Sequence, residues 1–301
     1  MNKLKAWLKA SRLASQSNIF VPLFTGQMFY LISGGEINWT IFAFVHLYGL
    51  FMQLYIVYAN DYADVETDRI NQTFTAFSGG SRVLVDGDLS PRALGIAAVV
   101  MVLLSILVGV LLAVVFGRTF APFIIMAGIA LLWMYSFKPV HLSYRGGGEI
   151  LQVLGVGVVL PWVGFYAQSG DIAGFPLETL VVILPTQLAC AMATSIPDFH
   201  SDKQSNKRTS TVLLGQKNVR VAIIALNLMA IAAFFVIDWA SFTGLKNVLP
   251  LAILAIIALA LFSLVPRIHQ KRSIVLFVLF SFVLTVGIMG QLVHVATTMH
   301  P

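Results

Sequence analysis

Residues 39–68 read WTIFAFVHLYGLFMQLYIVYANDYADVETD. From Trp39 to Asn60 there is no Asp, Glu, Lys or Arg, and the apolar residues run on without the strict alternation of a barrel strand. Wound as a helix rising ~1.5 Å per residue, such a run crosses the ~30 Å hydrocarbon core of a bilayer. Asp61, Asp64, Glu66 and Asp68 then follow at once. The stretch predicts a membrane-spanning helix that ends in a set of carboxylates. Charge beside a bilayer is costly unless paired or bound to a cation, so a cluster there marks a functional site.

The rest of the chain repeats the first half of that pattern. Of its 301 residues 58% are hydrophobic and only 11% charged, with a mean hydropathy of +0.87. A soluble domain carries about 25% charged residues, so the composition excludes a soluble globular protein. Apolar runs of spanning length fall at 18–33, 39–60, 92–116, 119–136, 149–167, 178–197, 219–238, 248–266 and 274–297. The fold expected is all-α: a polytopic membrane helical bundle of about nine transmembrane helices, forming a single domain over 1–301. Cys190 lies inside an apolar run, has no second cysteine to join, and is read as a packing residue.

Charge placement sets the orientation. With the N-terminus in the cytoplasm, seventeen of the nineteen basic residues fall on the inner side and only Arg118 and Lys246 on the outer. That bias is the positive-inside pattern, and it explains the net charge of +6 without a nucleic-acid partner. Residues 1–15 carry basic residues ahead of an apolar run but no small-x-small cleavage site. They are expected to form an amphipathic helix on the inner leaflet, with Trp7 as an interfacial anchor. The expected setting is a bacterial inner (plasma) membrane with the site facing the cytoplasm.

A second acidic cluster, Asp198-Phe199-His200-Ser201-Asp202, closes the run at 178–197. Both clusters therefore lie on one side, after spans two and six, a spacing that hints at an internal repeat. One charge run after a membrane helix is usually a solvated loop, but two on the same side at helical spacing argue for a shared site. On a helix, Asp61, Asp64 and Asp68 share one face, as do Asp198 and Asp202. Hard oxygen ligands with no nearby cysteine suit Mg²⁺, which often binds through a few carboxylates and substrate phosphates. The pocket thus implies a phosphorylated ligand. Basic and glycine-rich elements stand nearby: Ser78-Gly79-Gly80-Ser81-Arg82, Tyr135 with Lys138, Arg145 before Gly146-Gly147-Gly148-Glu149, and Lys207-Arg208. Small residues let backbone N–H groups approach an anion, although each basic residue also serves the positive-inside bias. Gln16 and Asn18 flank the first span and His200 lies within the second cluster, where a solvated histidine is the simpler reading.

At these residues the chain resembles the UbiA superfamily of intramembrane prenyltransferases. The family's N-D-x-x-D-x-x-x-D motif is matched by Asn60, Asp61, Asp64 and Asp68, and its D-x-x-x-D motif by Asp198 and Asp202. Lys207-Arg208-Thr209 and Leu214-Gly215 resemble the downstream pattern. The segments running from Phe77 through Arg82 to Pro91, and from Tyr144 to Glu149, look like the branch that prenylates 1,4-dihydroxy-2-naphthoate for menaquinone.

The resemblance implies a polyprenyl diphosphate as donor and an aromatic acceptor, with no obligatory protein partner. It implies Mg²⁺ held by Asn60, Asp61, Asp64, Asp68, Asp198 and Asp202. The diphosphate would be bound by Arg82, Tyr135, Lys138, Arg145 and Lys207, and the catalytic residues would be Asp64, Asp198 and Lys138. A 4-hydroxybenzoate or other acceptor stays open within the superfamily. From another class, a cation-coupled transporter stays open too, because Pro161 and Pro185 allow broken helices.

Overall fold

The structure is a computed structural model that describes residues 2–71, 79–236 and 245–299. Among those residues every regular element is helical. In chain order the helices are α1 (Lys3–Ala10), α2 (Ser17–Ile32), α3 (Trp39–Ala63), α4 (Val65–Ile70), α5 (Pro91–Phe116), α6 (Ala121–Ser136), α7 (Leu142–Arg145) and α8 (Gly148–Gln152). There follow α9 (Leu160–Ser169), α10 (Leu180–Ser195), α11 (Phe199–Gln204), α12 (Ser210–Leu214), α13 (Gln216–Val236), α14 (Leu245–Ala260) and α15 (Lys271–Met299).

Local chemistry sets the ends. Asn38 caps α3, its side-chain oxygen accepting from the N–H groups of Thr40 and Ile41 at 3.0 and 3.1 Å. Ser90 caps α5 ahead of Pro91, and Gly117, at φ 69°, takes the left-handed turn that ends it. Between α8 and α9 the fifth predicted span winds as a π-helix over Val153–Val159, a wider coil that includes Gly155 and Gly157.

Six helices among the described residues are long and apolar enough to cross a membrane. Three shorter apolar helices, Ser17–Ile32, Ala121–Ser136 and Val248–Leu264, lie where the remaining spans are predicted. Large apolar side chains along α5, such as Val99, Leu103 and Val114, are exposed, as a lipid-facing surface requires. The predicted span 219–238 runs two residues beyond the described part of α13.

The core falls into two packed groups. One joins α2, α3, α5, α6 and α9; the other joins α10, α13, α14 and α15, with Phe29, Phe165 and Phe175 extending it. Helices α2 and α9 touch backbone to backbone. A methyl group at Gly26 would overlap the Pro161 carbonyl, and one at Gly164 would overlap the Leu23 carbonyl. Close approach through small residues is how membrane helices gain packing energy, since lipid supplies no hydrophobic drive between them.

The N-terminal segment departs from the expected single amphipathic helix. It breaks at Arg12, whose φ of 42° is left-handed, and resumes as a short 3₁₀ turn over Leu13–Gln16. Trp7 does not face lipid headgroups alone: its ring meets the edge of Tyr58 on α3 at 5.7 Å. Ala6 and Ala10 are fully buried. The segment is thereby docked on the bundle.

Candidate active site

Both acidic clusters sit where a long helix breaks. Helix α3 stops at Ala63, Asp64 takes φ −96° and ψ 10°, and α4 starts anew. Helix α10 ends at Ser195, Asp198 takes φ −89° and ψ 3°, and α11 follows. The expectation that each cluster lies on one continuous helix is therefore corrected. Asp68 and Asp202 still come one turn on, because their N–H groups donate to the Asp64 and Asp198 carbonyls at 2.9 and 2.8 Å.

Asp64, Asp68, Asp198 and Asp202 all line one cavity of about 1580 Å³, together with Asn60, Arg82, Tyr135 and Lys207. The cavity runs from this polar end into the bundle past Met52 and Gly128, along Gly155 and Val159 of the π segment, and past Gln187. Val283 and Val286 of α15 line it and are also exposed, so it opens sideways near α15, with Val21 and Pro22 of α2 in its wall.

Asp64 is buried and accepts three hydrogen bonds. Its Oδ2 accepts from Lys207 Nζ at 2.8 Å and from Asn60 Nδ2 at 3.0 Å, and its Oδ1 accepts from the Tyr144 hydroxyl at 3.2 Å. Tyr144 also meets the Thr67 hydroxyl at 2.7 Å, and its ring lies 5.4 Å from Lys207 Nζ. Asp198 accepts from Asn71 Nδ2 at 2.8 Å and Asp202 from the Thr209 hydroxyl at 3.1 Å. Burial, then the charges of Asp64 and Asp61, pushes the Asp68 carboxyl up to about 7. Desolvation, then Asp202, raises Asp198 to about 7. Desolvation also lifts Asp202, to about 6, against the pull of Lys207. Burial works against the charge on Lys207, but Asp64, Tyr135 and Asp202 outweigh it and keep the ammonium protonated.

Several expected site residues are placed elsewhere. Asp61 is absent from the cavity lining and is enclosed by the Arg12 guanidinium, the Ser81 hydroxyl and the Ser81 N–H. The glycine-rich loop thus wraps an internal carboxylate, while Gly79, Gly80 and Ser81 also line the cavity; Ser78 and Phe77 lie outside the described residues. Gly80, at φ 65°, passes so close that a methyl group would strike the Asp68 carboxylate. Arg82 lines the cavity, but its Nη1 donates to the carbonyls of Asp68 and Asn71 at 3.1 and 3.4 Å and braces the end of α4.

Lys138 and Arg145 are exposed and do not line the cavity. Phe137 leaves helical geometry at φ −119° and ψ 148°, so Lys138 drops out of the register that turns Tyr135 inward. Arg145 follows Tyr144, and with Tyr144 inward its neighbour faces out. His200 is exposed, and Asn18 lines the cavity while Gln16 does not.

Sequence reasoning missed Arg12, Tyr144, Thr67, Asn71 and Thr209 as partners of the carboxylates. Tyr144 and Thr209 stand inside quoted motifs; Arg12, one of many inner basic residues, carried no distinguishing signal.

Among the described residues no three acidic, histidine or cysteine side chains gather into a metal-holding group. The expected six-residue ligand set is therefore not assembled: Asp61 is taken by Arg12, and Lys207 stands on Asp64. The donor chemistry nonetheless fits a hard divalent cation. Four carboxylates line one cavity with all-oxygen donors, the kind of site where Mg²⁺ binds through one or two carboxylates plus substrate phosphates.

The model of the UbiA prenyltransferase family matches residues 19–291. The chain is 26% identical over 246 residues, 79% of its length and 81% of the relative's, to the 1,4-dihydroxy-2-naphthoate octaprenyltransferase of Mycobacterium leprae (strain TN). It is 23% identical over 212 residues, 68% of its length and 65% of the relative's, to the enzyme of the same name from Bacillus subtilis (strain 168). Its fold is similar to that of a UbiA homolog from Archaeoglobus fulgidus bound to GPP and Mg²⁺, at a TM-score of 0.67 and 14% identity over 95% of this chain and 99% of that one. It is similar too to a UbiA homolog from Aeropyrum pernix K1, at a TM-score of 0.67 and 19% identity over 91% and 98% of the two chains.

Proposed function

Because the chain belongs to the UbiA prenyltransferase family, we propose that it transfers a polyprenyl group from a polyprenyl diphosphate to an aromatic acceptor, 1,4-dihydroxy-2-naphthoate, in a Mg²⁺-dependent reaction. Membership in a family of prenyltransferases takes the place of the transporter alternative. The observation that carries the reading is the two-ended cavity, with carboxylates and Lys207 at one end and an apolar, laterally open limb at the other. The donor has the same two ends. Its diphosphate suits the polar end, and its tail suits the limb that runs past the π segment and opens at α15. The naphthoate acceptor rests on the two named relatives.

Asp64, Asp68, Asp198 and Asp202, with Asn60, are the residues that would hold Mg²⁺, which supplies charge neutralisation to the diphosphate. Lys207, buried at the same end, adds a cation where the leaving group gathers charge. Tyr135 lines that end and offers a hydroxyl. The C1–O bond of the donor breaks, its electron pair leaving with the diphosphate, and the electron-rich ring attacks the allylic cation and then loses CO₂, or a ring proton where the acceptor has no carboxylate at that carbon. The apolar walls, among them Ile56, Leu131 and Val156, exclude the water that would quench that cation. The chain sits in the bilayer, and the positive-inside bias supports an inner membrane with the site toward the cytoplasm.

The test incubates purified protein with Mg²⁺, a labelled polyprenyl diphosphate and a panel of aromatic acids that includes 4-hydroxybenzoate. The expected result is a prenylated naphthoquinol product, lost with EDTA and restored by Mg²⁺. Transfer to 4-hydroxybenzoate in preference would overturn the acceptor, and EDTA-resistant transfer would overturn the metal.

A further inference from the structure

Three of the roughly four lone-pair directions of the Asp64 carboxylate are taken, which leaves a metal little room. Lys207 Nζ and Asn60 Nδ2 hold Oδ2 at 2.8 and 3.0 Å, and the Tyr144 hydroxyl holds Oδ1 at 3.2 Å. The lysine is the one charged member of that set. It is buried, and Asp64 is its only ion-pair partner among the described residues. It is also well placed to move. It follows α11 on a tight turn in which its N–H donates to the Asp202 carbonyl at 2.8 Å and Asn206 takes a left-handed φ of 59°. The backbone is thus anchored while a flexible four-carbon stem carries the ammonium.

A divalent cation arriving alone must displace this ammonium or sit beside it, and like charges at such range repel strongly in a buried site. A diphosphate arriving with the cation changes the balance, because its oxygens offer the ammonium a new partner.

We propose that Lys207 is a built-in counter-ion for Asp64, one that keeps divalent metal out of the empty site and passes from Asp64 to the diphosphate when metal and donor bind together. The inference rests on the reading of this cavity as a prenyl-diphosphate site. It makes Lys207 a positioning residue for Asp64 as well as a contact for the donor. By linkage, donor and metal each tighten the other's binding by the same factor.

The experiment measures Mn²⁺ binding to the detergent-purified full chain by electron paramagnetic resonance. It is done with and without farnesyl S-thiolodiphosphate, an unreactive donor analogue, against protein-free controls. Wild type is expected to bind Mn²⁺ weakly alone and about tenfold or more tightly with the analogue, within the usual range of coupling between sites. Lys207→Met and Lys207→Gln are expected to bind Mn²⁺ alone about tenfold more tightly than wild type and to lose most of the coupling. Variants that bind Mn²⁺ alone no better than wild type would overturn the proposal and leave the metal site standing. Should neither variant fold, wild type decides: equal Mn²⁺ affinity with and without the analogue overturns it. No Mn²⁺ binding by wild type under either condition removes the metal site and the proposal together.

Discussion

Asp64 and Asp198 adopt nearly the same backbone conformation, φ −96°, ψ 10° and φ −89°, ψ 3°, although 134 positions separate them. Each stands at the break between a long helix and a six-residue helix, α4 or α11. Each also accepts a backbone hydrogen bond from the aspartate one turn later. That bridge conformation is sparsely populated and recurs at active-site residues. The two halves thus present carboxylate pairs by the same local device, in keeping with the repeat that their spacing suggests.

The two aspartates differ in their partners, and this separates two variants. Asp198→Asn should cut transfer by at least about a hundredfold, as loss of one electrostatic group at a reacting centre does, and leave the melting temperature no lower than wild type. Its hydrogen-bond partner, Asn71, is neutral. Asp64→Asn should lose transfer equally and also destabilise the protein by roughly 3 kcal/mol, because Lys207 is left buried without its counter-charge. Transfer assays and thermal unfolding in detergent check both.

Asp61 should behave as a structural clamp. Asp61→Asn removes the buried charge partner of Arg12 and weakens the grip on Ser81. The ion pairs of Lys9 with Asp86 and Asp88 are partly exposed and worth little by themselves. Trypsin should then cut after Lys9 or Arg12 markedly faster than in wild type. An unchanged cleavage rate would show that Asp61 does not hold this segment.

The acidic site should make the metal-free protein less stable as the pH rises. An unfolded aspartate ionises near 3.8, whereas burial and neighbouring charge hold Asp68 and Asp198 at about 7. Between those values the native state binds more protons than the unfolded state. The stabilising contribution is complete below the lower value and is lost as the pH passes through the upper one. Melting temperatures in EDTA should therefore fall from about pH 5 to about pH 8, with a shallower slope in Asp198→Asn.

The α2–α9 contact admits no side chain. Gly26→Ala and Gly164→Ala should each cost about 1–3 kcal/mol, the usual penalty of overpacking. Gly290→Ala, where a methyl group would find no atom within 4 Å, should be close to neutral. Thermal unfolding of the three variants tests the contrast.

The spans and the two clusters were legible because charge is so rare in this chain that every carboxylate stands out. Their helical spacing survived the breaks at Asp64 and Asp198, since a short helix restarts directly after each. Which basic residue faces the cavity was not legible. Lys138, Arg145 and Lys207 serve the positive-inside bias equally well in a sequence, and only the way a helix ends turns one inward and the others out. Thus Phe137 sends Lys138 away, while the turn at Asn206 brings Lys207 onto Asp64. The left-handed break at Arg12 was hidden for a similar reason: nothing in Ser11-Arg12-Leu13 announces it.

The glycine contact between α2 and α9 also bears on how a long hydrocarbon reaches the site. With carbonyl and Cα surfaces already touching, α2 cannot slide or roll against α9 without collision, so on that side of the lateral opening the two helices act as one body. Widening for a bulky chain then falls to α15, whose Val283 and Val286 face both cavity and lipid.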